Sequence, residues 1–229
     1  MSIKENYQRI REMIPPYVGI IVAAKTRTPD EVAAVIEAGA KHIGENYVQE
    51  AAQMQRSLGA HAQHVTWHMI GHLQKNKINK ALRTFDVIQS VDSVERAAAI
   101  DARVEAAAKR IVPILVEINI GSEESKAGLS PSEHEPFEEY MERCAERISR
   151  LEHVRFQGLM TMGPRVGDPE KSRPYFRRVK RIFDRILGLR LARADMRYLS
   201  MGMTNSYRIA IQEGANMVRI GTAIFGARG

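Results

Sequence analysis

The sequence predicts an α/β fold, a single (β/α)8 TIM-type barrel with an extra N-terminal helix. Eight apolar runs of strand length alternate with seven helical segments, the pattern of a parallel sheet with right-handed crossovers. The 229 residues approach the ~250 within which eight such units close into a barrel. No GxGxxG follows the first strand, which argues against an open doubly wound sheet.

The elements follow in order. Residues 2–14 read as a leading helix, stopped by Pro15 and Pro16. Strand 18–24 comes next, then helix 29–38, opened by Pro29 and Asp30 and closed by Gly39. Strand 41–45 precedes helix 47–58, and strand 65–70 precedes helix 74–83. Strand 86–91 leads into an Ala-rich helix at 93–109. Strand 112–119 is followed by the loop GSEESKAGLSP and helix 132–149, and strand 154–161 by a loop and helix 170–187. Strand 196–201 precedes helix 205–213, and strand 216–221 runs into TAIFGARG. The pattern lacks an eighth outer helix, and the N-terminal helix is expected to cover part of that gap. Without a Pro/Gly/Ser linker or a composition break, residues 1–229 read as one domain.

Composition narrows the class. The chain is 44% apolar and 27% charged, as soluble globular proteins are. No apolar stretch approaches the ~20 residues of a membrane span, and MSIKENYQRIREM is not a signal peptide. The single cysteine, Cys144, excludes a disulfide within the chain and fits a reducing cytoplasm. The net charge of +7 gathers partly on one helix, at Lys171, Arg173, Arg177, Arg178, Lys180, Arg181 and Arg185. Phe176, Val179, Ile182, Phe183, Ile186 and Leu187 form a core stripe on the same helix. The charges therefore read as a solvated face, and neither nucleic acid nor a membrane is expected as partner.

In such a barrel, chemistry lies at the C-terminal ends of the strands. Polar residues recur there: Lys25, Asn46, His72, Ser90, Asp92, Asn119, Thr161, Ser200 and Arg219. In SMGMTNS, Thr204, Asn205 and Ser206 could each cap the helix that follows. RIGTAIFG places Gly221 and Thr222 at the neighbouring strand end. Free amides, hydroxyls and a glycine at this position make a phosphate cradle. Arg219 shares a strand face with Met217 and Gly221 and points inward, toward either a salt-bridge partner or a ligand.

Lys25 ends the apolar run GIIVAA. A lysine amine, ~10.4 in water, is lowered by desolvation or nearby positive charge, and the neutral amine condenses with aldehydes. A phosphorylated aldehyde would satisfy lysine and cradle together, and pyridoxal 5′-phosphate (PLP) is that molecule.

Six stretches in order, IVAAKTRTP, HIGENYVQEA, WHMIGHLQKNK, INIGSEESKAGL, GLMTMGP and SMGMTNS…VRIGTAIFG, resemble the PLP homeostasis protein family across residues 18 to 226. The resemblance implies a barrel similar to the N-terminal domain of alanine racemases, with PLP on Lys25 of the KT motif. It implies that Ser200, Thr204, Gly221 and Thr222 hold phosphate, that Arg219 faces the pyridine nitrogen, that Asn46 lies near the cofactor and that Lys126 influences its handling. Ser206 stands where the family often has aspartate, and Arg27 where lysine is also common.

The expected function is PLP storage, delivery and regulation in the cytoplasm by a monomer, with PLP-dependent apo-enzymes as recipients and no turnover of its own. An arginine at the pyridine nitrogen disfavours its protonation and weakens PLP as an electron sink. The alternative is a PLP-dependent amino-acid racemase, which needs a base on each face of the substrate. Tyr47, Tyr198 and Tyr207 are candidates, but nothing in the sequence places them opposite Lys25. No metal is expected. His68 and His72 are four apart, but Met69 stands where a metalloprotease has its glutamate, and His61 and His64 lack a clear third ligand.

Overall fold

A computed structural model describes residues 1–104, 111–121, 127–131, 135–164 and 167–226. Eight strands pair in sequence order into a closed parallel barrel: β1 (Gly19–Ala23), β2 (His42–Glu45), β3 (Thr66–Met69), β4 (Val87–Val91), β5 (Val112–Glu117), β6 (Val154–Thr161), β7 (Ala194–Met201) and β8 (Met217–Ile220). β8 returns to β1, so that Ile21 lies level with Arg219 on one side and His42 on the other. Closure leaves no free sheet edge.

The helices outside the barrel are α1 (Ile3–Met13), α2 (Pro29–Glu37), α3 (Val48–Leu58), α4 (Ile78–Thr84), α5 (Val94–Val104), α6 (Phe137–Ser149), α7 (Arg173–Gly188), α8 (Tyr207–Gln212) and α9 (Thr222–Phe225). Helix 74–83 of the sequence reading begins instead as a 3₁₀ turn, Lys75–Lys77. The predicted helices 93–109 and 132–149 appear as α5 and α6; residues 105–110 and 132–134 lie outside the described residues, as does Lys126.

The gap after β8 is not bare. The single turn of α9 sits there, and α1 packs over it and over α2. Asn6 donates to the Ile224 carbonyl at 3.0 Å. A capping box between Ser2 and Glu5 starts α1. Arg11 donates to the carbonyls of Val18, Ile14 and Pro15, tying the end of that helix to the entrance of β1.

The basic face of α7 is matched by acids. Arg173 and Arg177 pair with Glu213, Arg178 with Glu138, Lys180 with Asp184, and Arg185 with Glu142. The opposite stripe, Phe176, Val179, Ile182, Phe183 and Ile186, is buried. Each such side chain contributes about 1.5–3 kcal/mol of transfer free energy. Among the described residues, no helix is long and apolar enough to cross a membrane.

Candidate functional site

The loop from β1 to α2 is short and held at both ends. At its far end Thr28 and Glu31 form a capping box with Pro29 in the first helical turn. At its near end the Arg27 amide donates to the Ala24 carbonyl at 2.9 Å. Between them Thr26 sits at φ 64°, a left-handed conformation costly for a β-branched residue. This turn presents Lys25 at the barrel mouth, half-buried, with its Nζ 5.1 Å from the centre of the Tyr47 ring. Tyr198 instead packs inside the barrel against Val87, Leu115 and Met160, and Tyr207 is buried on α8.

An open cavity of about 460 Å³ occupies the mouth. Lys25, Asn46, Thr204, Arg219, Gly221 and Thr222 line it together, with Ala23, Ile70, Met162, Met203 and Asn205. Its size lies within the ~300–1,000 Å³ of small-molecule sites. Asn46 is held close to the next strand end: a Cβ on Gly71 would lie 2.5 Å from the Asn46 carbonyl oxygen, so only glycine lets the two segments meet. A Cβ on Gly221 would sit 3.3 Å from the Ala23 oxygen and narrow the cavity floor.

Two expectations at the β7 end are corrected. Ser206 occupies the N-cap of α8, but its hydroxyl accepts from the Met203 amide at 3.2 Å, so it folds the loop back and gives the helix no side-chain cap. Ser200 was expected to hold phosphate with Thr204, Gly221 and Thr222, but its side chain is fully buried beneath the cavity. Its Oγ donates to Gln89 Oε1 at 2.8 Å and accepts from Arg219 at 2.8 Å.

Arg219 points inward, as strand alternation requires, and is 3% exposed. Its two terminal nitrogens donate to the Ser200 carbonyl (3.0 Å), the Ser200 hydroxyl (2.8 Å) and the Thr161 carbonyl (2.6 Å). Burial pulls its pKa down to about 10, opposed by the field of Glu117. Burial likewise pushes Glu117 up to about 7; Arg219 opposes that rise and Asp92 adds to it. Arg219 is therefore held by oxygen acceptors and its remaining face borders the cavity.

Beside it a chain of polar side chains crosses the barrel interior. Gln89 Nε2 lies 3.0 Å from His68 Nδ1, and His68 Nε2 lies 3.1 Å from His42 Nδ1. Burial, and then His42, lower the His68 pKa to about 3. His68 is thus an interior residue, whereas His72 is exposed at the mouth beside Asp92 at 3.3 Å. Among the described residues no group of three or more His, Cys, Asp or Glu could hold a metal ion.

The sequence reading did not single out Glu45, although it stands in the GEN stretch beside Asn46. Its side chain is 1% exposed and its Oε2 has no hydrogen-bond partner. Gln89 was missed too; the polar pair Gln89–Ser90, between Ile88 and Val91, was the available signal, of which only Ser90 was taken.

The whole chain, residues 1–229, matches the family described as alanine racemase, N-terminal domain. It is 37% identical over 210 residues to the pyridoxal phosphate homeostasis protein of Aquifex aeolicus, covering 91% of this chain and 86% of that one. PipY of Synechococcus elongatus, in its structure with PLP bound, superposes with a TM-score of 0.86 at 28% identity, covering 98% and 100% of the two chains. An alanine racemase of Clostridium difficile shares the fold at 15% identity, with a TM-score of 0.75, over 99% of this chain and 57% of that one. The chain belongs to the alanine racemase N-terminal domain family and, within it, to the pyridoxal phosphate homeostasis proteins.

Proposed function

We propose that the chain binds PLP in the mouth cavity and serves its homeostasis as a carrier or regulator rather than as a catalyst. The observation that carries this is the convergence of Lys25, Asn46, Thr204, Arg219, Gly221 and Thr222, from four strand ends, on one cavity. The names of the relatives and the PLP-bound PipY structure support it. The donor set fits the group: a primary amine at one wall, and a hydroxyl with a glycine-opened turn of backbone at another. When bound, PLP supplies an aldehyde that condenses with an amine and a phosphate that accepts hydrogen bonds.

Lys25 is presented to the cavity by a turn that is held at both ends. The Thr204 hydroxyl and the Thr222 amide, at the start of α9, are the phosphate donors in this reading. Gly221 leaves room for the phosphate to approach. Arg219, which can only donate, favours an unprotonated acceptor opposite it and so opposes the electron withdrawal that α-proton removal needs. That favours a carrier over a racemase. The same reading places the chain in the cytoplasm as a monomer that passes PLP to apo-enzymes.

Borohydride reduction of the PLP-loaded protein, followed by peptide mass mapping, tests the assignment. The pyridoxyl label should fall on Lys25, and Lys25→Ala should lose both the label and the visible absorption band. A label mainly on another lysine would overturn it. Steady exchange of α-deuterium from labelled amino acids would favour the racemase.

A further inference from the structure

An arginine has donors only. When Arg219 donates to the Ser200 hydroxyl, that hydroxyl must place its own proton elsewhere, and Gln89 Oε1 receives it at 2.8 Å. The Gln89 amide is thereby oriented with Nε2 toward His68 Nδ1 at 3.0 Å and Met217 Sδ at 3.3 Å. His68 Nδ1 is then the acceptor, its proton is on Nε2, and it donates to His42 Nδ1 at 3.1 Å. One permanent charge fixes the direction of four successive hydrogen bonds across β8, β7, β4, β3 and β2. Burial keeps His68 uncharged and lowers the His42 pKa, in keeping with that direction. The primary amide in the middle neither releases nor takes up a proton at neutral pH, so the chain holds orientation and does not relay protons.

We propose that Gln89 and Ser200 are positioning residues for Arg219: Gln89 locks the Ser200 hydroxyl, and the hydroxyl aims the guanidinium at the mouth cavity. Without the Gln89 acceptor, the Ser200 hydroxyl is free to turn and its oxygen is no longer fixed toward the Arg219 nitrogen, which keeps the Ser200 carbonyl as its one fixed partner. The consequence for cofactor tuning rests on the reading that Arg219 faces the ring nitrogen of PLP.

Two measurements on the full chain test this. In the cofactor-free protein, nitrogen NMR of Arg219 should give separate signals for its two terminal nitrogens, and Gln89→Leu should merge them. In the PLP-loaded protein, Gln89→Leu should shift the visible band in the same direction as Arg219→Met and add no further shift when combined with it. Gln89→Glu keeps an oxygen for Ser200 and should retain the wild-type band, while His68, having lost its donor, titrates at higher pH. If Gln89→Leu fails to fold, Ser200→Ala removes the hydroxyl that links Gln89 to Arg219 and should give the same merging and shift. A folded Gln89→Leu or Ser200→Ala protein with separate signals and the wild-type band would overturn the proposal. So would a Gln89→Leu shift that persists in full without Arg219. An unchanged band in Arg219→Met would instead refute the assignment of Arg219 to the ring nitrogen, and the NMR result would still decide the positioning role.

Discussion

Replacing Glu45 with glutamine should flatten the dependence of stability on pH. Glu45 lies between the start of α2 and α3, beside Glu50, Gln53, Met54 and Ser57. Burial, and then the charge of Glu50, push its carboxyl from 4.5 up to about 7, with the Asn46 amide opposing. Each tenfold change in proton affinity is worth about 1.4 kcal/mol, so an ionised Glu45 costs the folded state about 3 kcal/mol. Between pH 4.5 and 7 the folded chain binds the proton that the unfolded chain has lost, so stability falls as pH rises through that window. Glutamine carries no such proton. Its buried amide costs about 1–3 kcal/mol, but equally at every pH. The assay is urea denaturation of both proteins at pH 5 and pH 8.5. The free-energy difference between wild type and Glu45→Gln should move by about 3 kcal/mol in favour of the variant on going to pH 8.5. Glu117, present in both proteins, cancels. Parallel curves would show that Glu45 is ionised or partnered in solution and would refute the reasoning.

Thr204→Ala should weaken PLP more than pyridoxal, which lacks phosphate, by about 0.5–1.5 kcal/mol or somewhat more for a charged acceptor; equal weakening in titrations of the two ligands would remove Thr204 from the phosphate site. Thr26→Gly should relieve the left-handed strain, gaining about 1 kcal/mol against the added freedom of the unfolded glycine; a destabilised variant in urea would show that the Thr26 side chain contributes more than its backbone costs. Arg219→Glu should set a carboxylate against the Ser200 and Thr161 carbonyls and destabilise the cofactor-free protein by several kcal/mol, read as a lower melting temperature, whereas Arg219→Lys should lose less; equal melting curves for wild type and Arg219→Glu would mean that the side chain turns out into the cavity.

The barrel was legible because its determinants are local. Apolar runs, prolines and glycines mark where each strand and helix begins and ends, and alternation along MVRIG alone turns Arg219 inward. That Lys25, Asn46, Gly221 and Thr222 meet at one cavity was legible for the same reason: each stands where an apolar run stops, and in a parallel barrel those stops share one rim; Thr204 was legible from the capping stretch SMGMTNS beside them. Depth along the barrel axis was not legible. Ser200 precedes Thr204 by four residues, yet one is sealed beneath the floor and the other lines the cavity, because the last residues of β7 are still inside the barrel. Nor could the sequence pair Ser200 with Gln89, 111 residues away, or His68 with His42. Those contacts arise only when closure brings distant strands around one axis. The orphaned oxygen of Glu45 and the backward bond of Ser206 belong to the same class. What a buried polar group bonds to is set by which neighbours closure leaves within about 3 Å, and that is a property of the assembled barrel.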